Sequence, residues 1–432
     1  WSSDVCSSDL FVDTQDYSLS KGEVSRITAN QLNIGDSSSE SIIVNNITGT
    51  ESQNIVQVNL DATLDNQSVT FQADSVFNAL TVQADDGIEV QGNLSADTGI
   101  LSLEADADNT ADLGDDLVLA AGITVSAATD LTLNATNGSI AGQGSLTLSS
   151  GENMTINDSL TTLGQTDISA DSDEDGVGDF TLESSMTIDS SGSDINLSAN
   201  DVDIQGSLDA GAGTLSLEVS DDGVIGLGTV ASEDLGLNAG DPFFSVSNAE
   251  VSRLTAAIFN LGDVTSSDIA IGSVLDAESE NLAQVNIIAT KADASVTFKG
   301  DSVFNKLNTQ AGDGITVESS VTTDVGDLSL DADSDNTAGA NDALTFFDGA
   351  SLTVEGNMTL DATNGDMASQ GTLDLTAKGN ITLNESLTTQ DVTSIFADSD
   401  ENGIGNFTLA ADKTLNTTNS ILTLEADRKS TR

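Results

Sequence analysis

The sequence predicts an all-β protein, a parallel β-solenoid, from three observations on its 432 residues. Short apolar–polar–apolar triplets recur along almost the whole chain. The residues between the triplets are mostly Asn, Asp, Gly and Ser, which favour tight turns. A long segment of the chain is also copied in tandem, as is typical of solenoid and modular architectures.

The triplets predict short strands with one buried face. Leu131-Thr132-Leu133 and Phe180-Thr181-Leu182 are examples, and each places a Thr between two apolar residues. A period of two is that of a half-buried strand. Strands this short are unstable alone, so we expect them to stack on neighbouring copies. Two or three strands would form a coil of about 20–25 residues, and stacking at about 4.8 Å would give a rod roughly 80–100 Å long.

A string of tandem immunoglobulin-like β-sandwiches is the alternative all-β fold. Such sandwiches prefer longer strands, a buried aromatic residue and loops that contain proline. The chain has one Pro, and its aromatic content is 3%. Both values favour the solenoid over the sandwiches.

The tandem copy is in register throughout. VTFQADSVFN, from Val69, recurs as VTFKGDSVFN from Val296, and LTLNATNG from Leu131 recurs as MTLDATNG from Met358. The offset is 227 residues at both places, so no net insertion separates them. A long unit repeated in this way favours a modular protein over a single catalytic domain.

The repeat and the composition together predict the domain boundaries. The two ends of the chain differ from the rest and resemble translated sequencing adapters, so we expect them to be non-native and the parent protein to be longer. The predicted segments are an adapter-derived segment at 1–10, the end of a preceding repeat at 11–23, repeat unit 1 at 24–250, a truncated repeat unit 2 at 251–427, and a second adapter-derived segment at 428–432.

Composition excludes several kinds of chemistry and partner. The chain has no His, and its one Cys and one Trp both lie in residues 1–10. We therefore expect no Cys/His zinc site, thiol nucleophile or disulfide framework in the rest of the chain. The net charge of −60 argues against nucleic acid as a partner, because phosphate binding needs a basic patch. No stretch approaches the ~20 apolar residues of a membrane helix, so we expect no transmembrane segment.

One acidic segment has the spacing of a calcium-binding loop. Its oxygen-bearing side chains lie at alternate positions and a Gly stands at the sixth: Asp171, Asp173, Asp175, Gly176 and Asp179. EF-hand loops use this arrangement. An EF-hand has a bidentate Glu at the twelfth position, where this chain has Leu182. We therefore expect weak calcium binding, with a dissociation constant of about 10⁻⁴–10⁻³ M.

The second repeat carries a related loop in which two carboxylates are replaced by amides: Asp398, Asp400, Asn402 and Asn406. The lower charge predicts weaker calcium binding there. The alternative for both loops is an acidic, solvated turn whose side chains bond their own backbone. Two further acidic clusters lack the Gly, and we expect them to be solvated turns: Asp106, Asp108, Asn109 and Asp112, and Asp331, Asp333 and Asp335.

The chain resembles the repeat regions of filamentous-haemagglutinin-like bacterial exoproteins. The resemblance rests on YSLSKGEVSRITANQLNIGD from Tyr17 and its partner FSVSNAEVSRLTAAIFNLGD from Phe244, and on LTLNATNGSI, GSLDAGAGTLSLE and VIGLG. It covers about residues 13–426. It implies a right-handed parallel β-helix, an extracellular or cell-surface location, a role in adhesion or biofilm, and secretion through an outer-membrane partner.

These observations together predict a fragment of a secreted or cell-surface bacterial adhesin or structural exoprotein. It would act as an elongated acidic rod for adhesion, spacing or biofilm matrix, and would bind an unidentified extracellular carbohydrate or surface protein. The alternative is a surface-layer or matrix protein stiffened by calcium. The third hypothesis is a β-helix enzyme that acts on polysaccharide. We expect no enzyme, because basic and aromatic residues are few.

Overall fold

The computed structural model describes residues 18–111, 113–238, 243–339 and 341–426. The predicted adapter-like segments, residues 1–10 and 428–432, lie outside these ranges, as do Asp112 and residues 11–17 of the predicted preceding repeat. The chain forms two compact units, of which the first ends at Gly213 and the second begins at Thr214.

The first unit contains three stacks of short strands. Strands that follow one another along the chain belong to different stacks. Stack 1a consists of Ala29–Gly35, Ile55–Ala62, Leu80–Ala84, Leu101–Glu104, Leu131–Asn134, Met154–Ile156, Asp179–Leu182 and Asp201–Ile204. Stack 1b consists of Ile42–Val44, Val69–Phe71, Ile88–Val90, Leu117–Leu119, Ile140–Gly142, Leu160–Thr162, Thr187–Asp189 and Ser207–Asp209. Stack 1c consists of Ser75–Phe77, Leu94–Ala96, Ile123–Ala127, Leu146–Ser150, Thr166–Ser169 and Ile195–Ala199.

The second unit has the same plan. Stack 2a consists of Thr214–Val219, Ile258–Leu261, Val285–Ala289, Leu307–Ala311, Leu328–Asp331, Met358–Asp361, Ile381–Leu383 and Phe407–Leu409. Stack 2b consists of Phe244–Val246, Ile225–Leu227, Ile269–Ile271, Val296–Phe298, Ile315–Val317, Leu344–Phe346, Met367–Ser369, Leu387–Thr389 and Leu415–Asn416. Stack 2c consists of Ser302–Phe304, Ser320–Thr323, Ala350–Val354, Leu373–Ala377, Thr393–Phe396 and Leu422–Glu425. The second unit also contains a short strand, Leu254–Thr255.

Helices are short wherever the structure describes the chain. Four α-helices have four residues each, and one 3₁₀ helix has the same length: Lys21–Val24, Gly49–Ser52, Asn248–Val251 and Asp276–Ser279, with the 3₁₀ helix at Ser232–Leu235. The first helix begins with a capping box, in which the Glu23 carboxylate accepts hydrogen bonds from Ser20 N and Ser20 Oγ at 2.9 and 2.7 Å.

Strands within each stack are parallel and in register. In stack 1b, Leu117 lies opposite Ile88 on one side and Ile140 on the other. The described residues make about 16 turns of a β-solenoid in all, and three strands complete a full coil. The predicted β-solenoid is therefore confirmed. The alternative of immunoglobulin-like sandwiches is wrong, because those are built from antiparallel sheets.

The inner face of each coil is apolar, as the triplets predict. Leu131 and Leu133 are completely buried while Thr132, between them, is half-buried. Phe71 and Phe298 hold the same place in the two repeats and are both 0% exposed. Full burial of one such side chain contributes about 1.5–3 kcal/mol. Stacked ladders of these residues supply the stability that a strand of three residues lacks.

Successive coils approach one another closely at the turns. A Cβ atom on Gly138 would lie 2.3 Å from the Asp115 carbonyl oxygen, and one on Gly365 would lie 2.3 Å from that of Asp342. Only glycine fits at either position, which explains the Asn-Gly pairs at these corners. Within the described residues, none of the helices is both long enough and apolar enough to cross a membrane.

Candidate metal-binding turns

The first predicted calcium loop is organised by Asp171. This residue is 1% exposed and has a positive φ of 64°. Its carboxylate accepts hydrogen bonds from Asp175 N at 3.0 Å and Gly176 N at 3.2 Å. Asp171 is therefore both the anchor of the loop and a candidate ligand, because a carboxylate oxygen can accept more than one interaction.

Three of the four predicted ligands come together in this loop. One carboxylate oxygen from each of Asp171, Asp173 and Asp175 lies within 4.8 Å of the other two, and no other trio of acidic side chains in the described chain meets this limit. Asp173 and Asp175 are exposed. Carboxylate oxygens are the ligands that calcium prefers, so this geometry suits a hard divalent cation.

Asp179 lies in a different environment. It is the first residue of the strand Asp179–Leu182 in stack 1a. Its backbone N donates to Asn153 Oδ1 at 3.3 Å, and its Oδ1 accepts from Asn200 Nδ2 at 3.0 Å. The side chain joins a ladder of Asn and Asp residues that links successive coils, and it is not part of the trio.

The second predicted loop has a similar backbone with fewer charges. Asp398 is 8% exposed, has a φ of 58°, and accepts from Gly403 N at 3.1 Å. Asn402 Nδ2 donates to Asp400 Oδ2 at 2.8 Å, so this amide occupies a carboxylate oxygen that a cation would use. Asn406 lies in a ladder like Asp179, with its backbone N donating to Asn380 Oδ1 at 2.9 Å.

The two lesser acidic clusters differ from the sequence expectation. Solvated turns were expected, but Asp106 and Asp333 are both 0% exposed. Each follows a buried Ala at the end of a strand, as Asp171 and Asp398 do. The expectation is therefore wrong for Asp106 and Asp333, and Asp112 of the first cluster lies outside the described residues.

One sequence signal unites the four turns. Each contains Ala-Asp-x-Asp, and the residue that follows has a positive φ: Asn109 at 57°, Glu174 at 57°, Asn336 at 54° and Glu401 at 55°. A shared backbone turn therefore buries the first Asp in each case, while the second is exposed in three of the turns and half-buried at Asp335. The absence of a sixth-position Gly hid this similarity at Asp106 and Asp333.

The second Asp of the lesser turns is held by a Thr two residues later. Thr110 N and Oγ1 donate to Asp108 Oδ1 at 2.7 and 2.6 Å. Hydrogen bonds from the Thr110 side chain, then its backbone, lower the pKa of Asp108. Thr337 lowers the pKa of Asp335 in the same way. Both carboxylates are therefore ionised at neutral pH.

Comparison with known proteins finds no relative of the chain. No family model matches it, and neither the curated proteins nor the solved structures contain a match.

Proposed function

We propose that this chain is part of a secreted or cell-surface bacterial exoprotein of the filamentous-haemagglutinin-like kind. It serves as an elongated acidic spacer for adhesion or biofilm matrix. The observation that carries the proposal is the in-register parallel stacking of strands within each unit, in a chain that copies a 227-residue segment in tandem. A stack of similar coils extends by adding further coils, which suits reach more than catalysis.

The proposed mode of action is multivalent. Repeated weak contacts give avidity without one strong site, and the partner is an unidentified extracellular carbohydrate or surface protein. The acidic surface favours solubility and argues against nucleic acid. Export through an outer-membrane partner and a location outside the cell belong to the same proposal. We also propose that the chain has no catalytic activity.

Small-angle X-ray scattering of the full chain tests the proposed rod. The proposed rod stacks its coils at about 4.8 Å and would be roughly 80–100 Å long. We expect an asymmetric pair-distance distribution with a tail that reaches roughly 80–100 Å. A symmetric distribution typical of a globule would contradict the spacer.

Adhesion needs a separate measurement. Beads coated with the chain at increasing density are applied to a polysaccharide array and to bacterial cells, with the free chain as competitor. We expect capture to rise more steeply than coating density, and micromolar free chain to compete poorly. Capture that is absent at every density would argue against an adhesive role and leave the spacer role standing.

Calcium stiffening is the second candidate, and the convergence of Asp171, Asp173 and Asp175 within 4.8 Å favours it. We propose weak calcium binding at this loop and weaker binding at Asp398, Asp400 and Asn402. Asp179 and Asn406 would act indirectly, since each belongs to a ladder. Repeating the scattering in chelator and in millimolar calcium tests this proposal. If calcium stiffens the chain, the pair-distance distribution should be narrower in calcium than in chelator.

A further inference from the structure

The turns at Asp106 and Asp333 each contain a buried carboxylate oxygen without a hydrogen-bond partner. In both side chains this atom is Oδ1. The other oxygen is saturated: Asp106 Oδ2 accepts from Asn137 N at 3.0 Å and Asn137 Nδ2 at 2.6 Å. Asp333 Oδ2 accepts from Asn364 N and Asn364 Nδ2, both at 2.7 Å. An Asn of the next coil therefore holds each carboxylate through Oδ2, and Oδ1 accepts no hydrogen bond in either turn.

A second buried carboxylate lies beside the first of these turns. Asp85 is 3% exposed, and its Oδ2 accepts from Asn66 N at 2.8 Å while its Oδ1 has no partner. The exposed Asp108 interacts with the side chains of both Asp85 and Asp106. Asp108 thus adjoins two buried carboxylates, each with one oxygen that accepts no hydrogen bond, while Thr110 holds the Asp108 carboxylate on the solvent side.

The second unit repeats this arrangement with one carboxylate fewer. Asp335 interacts with the side chain of Asp333 as Asp108 does with Asp106. Gly312 stands at the position equivalent to Asp85. The two repeats therefore contain the same turn with three carboxylates in one copy and two in the other.

A buried carboxylate oxygen that accepts nothing is costly, and adjacent like charges add to the cost. Protonation of the carboxylate or binding of a cation would remove this cost. The lysines at 291, 299, 378 and 413 pair with other carboxylates, those of Asp222, Glu318, Glu355 and Glu385. A hard divalent cation fits better than a proton, because it neutralises several carboxylates together and takes oxygen ligands.

We propose that the turn at Asp106 binds a divalent cation of the calcium class through Asp85 Oδ1, Asp106 Oδ1 and Asp108. The equivalent turn binds one more weakly through Asp333 Oδ1 and Asp335. The oxygens of the three carboxylates do not all lie within 4.8 Å of one another, as those of the Asp171 loop do. Binding therefore requires the exposed Asp108 to turn towards the two buried oxygens.

The test uses the full chain carrying D173N and D400N, which weakens the two predicted calcium loops. Its melting temperature is measured in chelator and in calcium chloride, alone and with D106N plus D333N added. We expect calcium at about ten times the dissociation constant to raise the melting temperature of the D173N/D400N chain by about 3–6 °C. The added substitutions should abolish that shift, while leaving the melting temperature in chelator unchanged or higher because a buried charge is removed.

Two further variants sharpen the outcome. D85N keeps an acceptor for Asn66 N, removes one charge, and should weaken calcium binding at the first turn by about tenfold, towards the second turn. D374N removes an exposed charge from stack 2c and should change nothing. Equal calcium shifts with and without D106N plus D333N would overturn the proposal, even if calcium still binds at the Asp171 loop. A melting temperature that rises only on acidification, with no calcium shift, would assign the neutralisation to a proton.

Discussion

Glu104 and Asp331 occupy the same position of the two repeats and share an unfavourable environment. Burial raises the pKa of Glu104, against a hydrogen bond from the Asn134 side chain, and the charges of Asp106 and Asp158 raise it further. Burial also raises the pKa of Asp331, against a hydrogen bond from Asp333 N, with Asp361 and Asp333 adding to the effect. Both residues end a strand of the first stack in their unit.

The sign of their contribution to stability follows from linkage. A carboxyl whose folded pKa exceeds its unfolded pKa is destabilised in its charged form, so the penalty is present at neutral pH. It is lost as the pH falls through the folded pKa towards the unfolded value. We expect E104Q plus D331N to stabilise the chain at pH 7, by less than about 1 kcal/mol per site because both groups are half-exposed to solvent.

Denaturant unfolding at several pH values measures this effect. The difference between the variant and the unsubstituted chain should be largest at neutral pH and should vanish near pH 4. D374N is the matched control, since it removes an exposed charge. A constant difference at all pH values would show that the substitutions act through packing and not through titration.

Individual carboxylates were the least predictable feature of the sequence. The spacing of Asp171, Asp173 and Asp175 identified a trio that the structure does bring together. Asp179 has the right spacing as well, but a strand begins at this residue and directs it into a ladder. Asn137, which donates to Asp106, lies 31 residues later in the chain, so local spacing could not predict this contact.

Ladders of Asn and Asp link successive coils at the scale of single elements. Asn380 N and Nδ2 both donate to Asn357 Oδ1, at 3.0 and 2.8 Å. Asn380 Oδ1 in turn accepts from Asn406 N at 2.9 Å. Each member lies just before a strand of stack 2a, so the ladder satisfies backbone groups that the strands leave unpaired.

Removing the middle member should weaken the second unit. We expect N380A to cost about 0.5–1.5 kcal/mol, because it leaves Asn406 N without its acceptor at a site that water reaches in part. N416A is the control: Asn416 is exposed and bonds only the nearby Thr418 N, so water can replace it. Chemical denaturation compares the two. Equal midpoints for both variants would show that the ladder does not stabilise the stack.

Strands were far easier to predict than their assignment to stacks. A triplet such as Leu131-Thr132-Leu133 is enough to indicate a half-buried strand, and the structure contains one there. The spacing of the triplets allowed two or three strands per coil, and three is correct. Polar contacts between coils could not be predicted from the local sequence. Lys299 pairs with Glu318 in the second repeat, whereas the first repeat has Gln72 and Gln91 at the equivalent positions.

Net charge sets the balance of forces at the scale of the whole molecule. The chain has 71 acidic and 11 basic residues, for a net charge of −60. Self-repulsion of this size opposes any compact fold. The ion pairs of the described residues, such as Lys291–Asp222 at 3.0 Å, contribute about 0–1 kcal/mol each. Repulsion therefore outweighs attraction among the surface charges.

Screening should accordingly stabilise the protein. Raising sodium chloride from about 0.01 to about 0.1 M shortens the Debye length from about 30 Å to about 10 Å. We expect the melting temperature to rise over this range, although the same salt weakens the few ion pairs. Potassium chloride should act equally, because screening depends on ionic strength and not on the cation. If the melting temperature falls or stays level, attractive pairs or site-bound ions outweigh repulsion. A rise with sodium alone would indicate specific ion binding.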